Sequence, residues 1–350
     1  MTDNKSKTVT HLDGRILYYE LNQFISDIVQ GNRCFICGAN PSKRIFNDEH
    51  VIPNWILKKF KLNNKRIILP NKTRIKYSNY KVPCCEKCNS ELGRHFEVPI
   101  SQLLSKPYDK IANELNESFE KRNLLFRWLC LIYFKTHLKD KKLRASRDFR
   151  DDDVKIGDRF NWVDFHHIHC IIRAHHTGAK IDNGVFGSVY LNKIVNIGDI
   201  RKFDYMDNTY TKGVLLQLGD FCVASILDDS CASISMYNEQ ISKVERGISI
   251  FQFYEIFSHL NYVRLHLAKR PVFKSIITSS NDYKIIAERP EHNKLVNKSK
   301  RIGTHGDFLK ICLQKTVSET PETRDFLNNV KEGKLSFLWD ENGNFKSVDE

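Results

Sequence analysis

Two Cys-x-x-Cys pairs, far apart in the chain, constrain the fold more than any other feature of this 350-residue sequence. They are Cys34-x-x-Cys37 and Cys85-x-x-Cys88, and 47 residues lie between Cys37 and Cys85. Thiolates are soft ligands, and four of them suit a tetrahedral zinc ion. We therefore expect a structural Zn²⁺ site that ties together two distant segments. Cys84 could replace Cys85, but the pair would then have the less favoured spacing C-x-x-x-C.

The charge distribution predicts contact with a polyanion. The net charge is +13, and the first 110 residues hold 19 Lys and Arg against 10 Asp and Glu. The segment between the cysteine pairs contains basic side chains and no acid from residue 58 to residue 85. Such a run indicates binding to phosphates rather than to base edges. Its members are Lys58, Lys59, Lys61, Lys65, Arg66, Lys72, Arg74, Lys76 and Lys81.

Composition places the chain among ordinary globular proteins. It is 41% hydrophobic and 28% charged, and no apolar stretch is long enough for a membrane span. The N-terminal residues lack the apolar region of a signal peptide. The remaining five cysteines are scattered singly, as buried small side chains usually are. These features predict a cytoplasmic protein without membrane contact.

Hydrophobic periodicity predicts an α+β protein of several parts. We expect a helical lead-in over 1–32, a zinc-containing unit over 33–100, a helical connector over 101–147 and an α+β domain over 148–350. The segment "WVDFHHIHCIIRAH" is predicted as a strand whose histidines are structural. Asp228 and Asp229 are predicted to form a turn.

Polar residues beside the cysteines are not explained by zinc. Glu49 and His50 end a predicted strand, Asn89 follows Cys88 directly, and Glu97 lies two helical turns further on. Carboxylate and amide oxygens are hard ligands that suit Mg²⁺ or Mn²⁺ and compete poorly at a thiolate zinc site. A neighbouring histidine has the near-neutral pKa of a general base.

The stretches "DEHVIPNW" and "VPCCEKCNSELGRHFE" resemble the HNH endonucleases, in the zinc-stapled branch with CxxC, (D/E)HxxP and CxxCN. The resemblance covers residues 33–97. It implies a ββα-metal (His-Me finger) unit in which zinc lies outside the chemistry and one divalent cation takes part in it. Glu rather than Asp stands at the acidic position, and Asn rather than His at the last one. Both variants suit an oxygen-loving cation.

The resemblance also implies roles for individual residues. His50 is expected as the general base, and Glu49 and Asn89 as protein ligands of the catalytic Mg²⁺ or Mn²⁺. Glu97 or His95 would add a contact to the metal or the phosphate. The asparagine that orients the base is assigned to Asn79, with Asn71 as the alternative.

Two functions follow as expectations. The first is a metal-dependent endonuclease that hydrolyses DNA phosphodiesters, plausible in restriction or anti-phage defence, with the C-terminal domain serving target recognition, sensing or partner binding. A homodimer or a partner protein would suit that arrangement. The second is a non-catalytic, zinc-dependent nucleic-acid-binding or regulatory protein, in which Glu49 and His50 only pack.

Overall fold

The computed structural model describes residues 7–148, 150, 153–195, 202–245, 247–278, 282–318 and 320–348. It has the mixed α+β composition that the sequence predicts. The strands are β1 Val9–Thr10, β2 Ile16–Tyr18, β3 Phe46–His50, β4 Arg66–Ile68, β5 Arg74–Lys76, β6 Lys81–Cys85, β7 Lys180–Ile181, β8 Ser188–Lys193, β9 Phe203–Asn208, β10 Gly213–Leu218, β11 Phe221–Ile226, β12 Val272–Ile277 and β13 Tyr283–Glu288.

The helical segments comprise α-helices, π-helical turns and the 3₁₀ turns Tyr77–Asn79, Ile156–Arg159, Asn183–Val185 and Lys298–Lys300. The α-helices are α1 Leu21–Phe24, α2 Asn54–Lys59, α3 Glu86–Leu92, α4 Val98–Leu104, α5 Tyr108–Glu117, α6 Phe119–Asp140, α7 Trp162–Thr177, α8 Ala232–Met236, α9 Asn238–Ile241, α10 Ile250–Leu265, α11 His305–Gln314 and α12 Pro321–Lys331. The π-helical turns are Ile25–Gln30 and Gly93–Glu97. No helix in the described part of the chain is long and apolar enough to cross a membrane.

The chain divides into two compact units. The first takes its described residues from Met1–Pro107, Glu114–Asn183 and Phe273–Ile286. The second takes them from Tyr108–Asn113, Gly184–Val272 and Ala287–Glu350. The units therefore do not follow the predicted boundary at residue 148, because helix α7 and a later β-hairpin belong to the N-terminal unit.

An antiparallel strand pair and a helix form the centre of the first unit. Strands β3 and β6 pair with Phe46 opposite Cys85 and His50 opposite Lys81. Helix α3 begins directly after β6 and packs against both strands. The excursion between the strands contains helix α2 and the antiparallel hairpin β4–β5. Strands β3 and β6 and helix α3 thus form one packed layer.

Helix α7 corrects the predicted strand. The Asn161 side chain accepts a hydrogen bond from the Val163 N–H at its start, and Gly178 closes it in the left-handed conformation with φ 78°. Such caps are strong helix signals. Phe165, Ile168 and Ile172 recur at helical spacing and are fully buried. The spacing of the histidines suggests the alternation of a strand. The caps and the helical spacing of the apolar residues instead favour a helix.

Two other predicted helix limits also change. The segment 16–31 is predicted from its sequence as one amphipathic helix, but residues 16–18 form strand β2 and the first helix begins at Leu21. The helix after the second cysteine pair is expected from its sequence to break before Pro99. Instead the chain stays helical through the π-helical turn Gly93–Glu97 into α4, and Pro99 is the second residue of α4.

The second unit is built on an antiparallel sheet with the strand order β8-β11-β10-β9. Every residue of β10 and β11 is buried. Helix α10 packs on these strands and contacts α11, which in turn contacts α12. Asp228 and Asp229 lie in the turn after β11, as predicted. Asp228 forms a buried ion pair with Arg264, and Asp229 accepts hydrogen bonds from Ser188, so both are structural.

Candidate functional site

Four cysteine sulfurs form a compact cluster in the first unit. Those of Cys34, Cys37, Cys85 and Cys88 lie within 4.8 Å of one another. The Cys37 and Cys85 sulfurs are 3.6 Å apart, and tetrahedral zinc with bonds of about 2.3 Å places its sulfurs roughly 3.8 Å apart. The cluster is therefore compatible with a structural zinc site. Cys84 contacts Cys34 at 3.7 Å but is not a member of the set of four, which favours Cys85 as the ligand.

Local backbone geometry forms the first half of this cluster. The Gly38 N–H donates to the Cys34 carbonyl, and Gly38 has φ 75°, a conformation that favours glycine. Helix α7 fixes the same turn from behind, because His169 bonds to the Phe35 carbonyl at 2.8 Å and Arg173 donates to the Ile36 carbonyl. His169, one of the histidines predicted to be structural, thus supports the turn.

Close packing of the thiols also favours a cation. The Cys34 sulfur beside them raises the pKa of the Cys85 and Cys88 thiols. A raised pKa means that these thiols resist losing their protons. A divalent cation would offset this, because a coordinating thiol is deprotonated. The Arg44 guanidinium lies 3.8 Å from the Cys37 sulfur and can stabilise its negative charge.

The predicted ligand Asn89 lies on helix α3 against strand β3. Its side-chain N–H donates to the Asn47 side-chain carbonyl over 2.8 Å. Asn47 and Glu49 are two residues apart in the strand, so their side chains share one face. Asn89 and Glu49 therefore belong to the same layer between strand and helix. Asn47 is a polar neighbour that the sequence analysis missed, since it lies outside the compared motif.

Glu49 lies at the buried end of that layer and is paired with a lysine ammonium. Its side chain is 11% exposed, and its Oε1 accepts a hydrogen bond of 2.6 Å from Lys135 on helix α6. The fully buried Lys135 ammonium also donates to the His50 carbonyl at 2.7 Å. Lys135 interrupts the apolar run "LCLIYFKTHL", and that interruption is the sequence signal by which it could have been found.

Glu97 is brought to the same buried end. Its Oε1 is 4.0 Å from the Lys135 ammonium, and Trp55 donates to its Oε2 at 3.1 Å. Burial raises the pKa of Glu97 to about 7. Among the described residues its buried Oε1 has no hydrogen-bond partner. This orphaned oxygen, together with the Glu49 carboxylate, is a hard donor set that fits an oxygen-loving cation. Asn89 lies eight residues before Glu97, on the order of 10 Å along the helix. It is therefore towards the other end of the layer.

His50 ends strand β3 and is half-buried. Burial, followed by the positive charge of Lys81, lowers the pKa of His50 below its ordinary value of 6.5. A lowered pKa favours the neutral ring, which is the form a general base needs. Because adjacent strand residues point to opposite faces, the His50 ring leaves the strand on the side away from Glu49.

The two asparagines considered for the middle position differ in their surroundings. Asn71 closes the turn of hairpin β4–β5, where it accepts from the Thr73 N–H and donates to the Arg144 carbonyl. These bonds give it a structural task. Asn79 is exposed and lies two residues before Lys81, the strand partner of His50. Asn79 is therefore the better placed of the two. His95 packs its ring against His175 at 5.2 Å.

The basic run forms an exposed surface. Eight of its nine side chains are exposed and Lys81 is half-buried. In the part of the chain that the structure describes, none of the nine forms an ion pair. On the antiparallel hairpin β4–β5, here called the basic hairpin, Arg66 lies directly opposite Lys76, and Arg74 opposite Ile68. Like charges directly opposite each other destabilise a strand pair, and bound phosphate would relieve that repulsion.

Comparison of the chain with protein-family models, with curated proteins and with solved structures gives no match in any of the three.

Proposed function

We propose that the first unit is a metal-dependent endonuclease that hydrolyses phosphodiester bonds in DNA. The observation that carries the proposal is the ββα layer. It has Glu49 and Asn89 on facing elements, a neutral His50 at the end of the first strand, and the cysteine cluster at the base. The order of these features along the chain is that of the zinc-stapled HNH motif.

Each residue has a defined task in this proposal. His50 would take a proton from the water that attacks phosphorus, and its ring at the end of the strand would have to turn towards Glu49 to do so. Burial lowers the pKa of His50, which favours the neutral form of a general base. Glu49 would bind a divalent cation, Mg²⁺ or Mn²⁺, and Asn89 would have to leave Asn47 to join it. The cation would stabilise the charge that develops on the phosphate oxygens. Lys135 binds Oε1 of Glu49 and so fixes the carboxylate, while Oε2 remains for the cation. Asn79 orients His50, and the four cysteines would hold a Zn²⁺ that ties the strands and helix α3 together.

The basic surface supports DNA as the substrate. Its exposed Lys and Arg side chains follow the excursion that begins directly after His50 and ends at β6. Contacts of this kind bind phosphates with little dependence on sequence. A role in restriction or anti-phage defence, in the cytoplasm, and a homodimer or partner protein engaged through the second unit complete the proposal.

A specific observation favours a second candidate, a zinc-stapled DNA-binding module without catalysis. Lys135 neutralises Glu49, and Asn47 satisfies Asn89, so these polar groups have partners without a catalytic metal. In that case the basic surface binds DNA, while the layer only packs.

The experiment that separates the candidates is cleavage of supercoiled plasmid and of a single-stranded circle with Mg²⁺ or Mn²⁺, at low and moderate salt. The matched control is His50→Ala with equal zinc content. Metal-dependent nicking that disappears in the variant supports the nuclease. Tight DNA binding that needs no added Mg²⁺ or Mn²⁺, without nicking by either protein, favours the binding module. Equal nicking by both proteins removes His50 from the mechanism.

A further inference from the structure

A second group of possible metal ligands lies in the other unit, apart from the cysteines. Glu255 and His259 are one turn apart on helix α10, and His305 is the first residue of α11. One ligand atom of each side chain lies within 4.8 Å of the other two. The His259 Nε2 is 3.9 Å from the Glu255 Oε1, which is too long for a direct hydrogen bond.

Glu255 is held in one orientation by neighbours that leave it a free lone pair. Its side chain is 1% exposed. Oε1 accepts from the Ser336 hydroxyl at 2.7 Å, and Oε2 accepts from the N–H groups of Phe337 and Leu338 at 2.6 and 3.1 Å. A carboxylate has about four acceptor positions, so one remains on Oε1, the oxygen nearest His259. Supporting hydrogen bonds of this kind orient the ligands of metal sites.

Ring packing holds the histidines close to that oxygen. The His259 ring stacks on Tyr237 on one side, with centroids 4.6 Å apart, and on His305 on the other, at 4.1 Å. Ligand atoms around tetrahedral zinc are roughly 3.4 Å apart, so the three groups must contract slightly to share an ion. The nitrogen lone pairs of His259 and His305 lie in the planes of their rings, and these planes are nearly parallel. For both nitrogens to bind one ion, His305 must therefore tilt out of the stack. Its half-buried position at the start of α11 allows that movement.

We propose that Glu255, His259 and His305 form a binding site for a divalent transition-metal ion, with Zn²⁺ preferred over Mg²⁺. Two imidazoles and one carboxylate are borderline ligands, which suit zinc and its neighbours, whereas Mg²⁺ demands an oxygen shell. Three protein ligands leave a fourth position for water or another small ligand. The partial positive charge at the start of α11 opposes a cation, and the Glu255 carboxylate offsets it.

The test is equilibrium dialysis of the full-length protein against micromolar Zn²⁺ in excess Mg²⁺, followed by elemental analysis of the metal bound per chain. The informative variant is His305→Phe, which keeps a ring in the stack but has no ligand nitrogen. The matched control is His292→Ala, since His292 is exposed and lies in the same unit outside the cluster. Far-UV circular dichroism verifies that all three proteins fold alike.

The proposal predicts one more zinc per chain in the wild type and in His292→Ala than in His305→Phe. Cobalt offered in place of zinc adds visible bands of nitrogen and oxygen coordination that His305→Phe lacks. Equal zinc content in the wild type and His305→Phe would overturn the proposal. So would a loss of the same zinc in His292→Ala, which would indicate nonspecific binding to surface histidines. The cysteine cluster does not affect the comparison, because its ligands are the same in all three proteins.

Discussion

Replacing Lys135 by Met is the change that most sharply examines the buried end of the layer. The substitution keeps an unbranched side chain of similar length and removes only the ammonium. Glu49 then loses its 2.6 Å partner, and the His50 carbonyl loses a 2.7 Å donor. Breaking a buried ion pair from one side costs about 3–5 kcal/mol, because an uncompensated charge stays behind.

The expected loss lies near the lower limit of that range. Glu49 keeps a little solvent contact, with 11% of its side chain exposed, so water can partly solvate the charge that is left. We therefore expect the free energy of unfolding of the first unit to fall by about 3 kcal/mol. For a urea dependence of about 3 kcal/mol per molar, the midpoint moves down by roughly 1 M.

Urea titration followed by tryptophan fluorescence measures this change. Trp55 and Trp128 stack on each other in the same unit and report its unfolding. The double variant Lys135→Met/Glu49→Gln removes both charges and should recover most of the lost stability. A fall below about 1 kcal/mol in the single variant, the value typical of exposed pairs, would refute the reasoning.

The remaining predictions concern pH, zinc and DNA. Glu97→Gln should gain stability relative to the wild type as the pH rises through 7 without added Mg²⁺. The folded-state pKa of Glu97 is raised from 4.5 to about 7. Its contribution to the stability of the wild type is therefore full below pH 4.5 and has fallen by roughly 3 kcal/mol above pH 7. A constant difference in stability between Glu97→Gln and the wild type from pH 6 to 8.5 would contradict this. Nicking should need a neutral His50, whose pKa lies below 6.5, so activity should be constant above that pH and fall only below it. An acid limb above pH 6.5 would argue against this base. Cys34→Ser should lose zinc and destabilise the first unit, whereas Cys231→Ser should keep its zinc; unchanged metal content in Cys34→Ser would count against the cluster. Neutralising Arg66, Arg74 and Lys76 on the strands of the basic hairpin should make the slope of log K for DNA against log salt shallower. The expected change is about 0.9 for each phosphate that the variant no longer neutralises. An unchanged slope would place the DNA elsewhere.

Motif spacing was enough to predict that the four cysteine sulfurs lie together. Cys-x-x-Cys pairs carry their own geometry, so the four sulfurs could be expected together. Strand β3 and helix α3 follow from the order of residues around Glu49 and Asn89. The prediction of a strand was wrong for α7. Asn161 and Gly178 cap a helix there, whereas the histidine spacing had suggested a strand.

Long-range packing was not predictable from one sequence. Lys135 lies 86 residues from Glu49, and no local pattern joins an apolar helix to a strand so far away. The division into units also depends on tertiary contacts, since residues 273–286 return to the first unit after a long excursion. The group of Glu255, His259 and His305 joins two helices in the same way, although Glu-x-x-x-His on α10 was visible in the sequence.

Chemical rescue of His50→Gly tests the central claim most directly. The variant removes the imidazole and leaves space where free imidazole can act as the base in plasmid nicking with Mg²⁺. The account predicts that nicking is lost in the variant and returns as imidazole is added, while the wild type is unaffected. Undiminished nicking by His50→Gly without imidazole would contradict it.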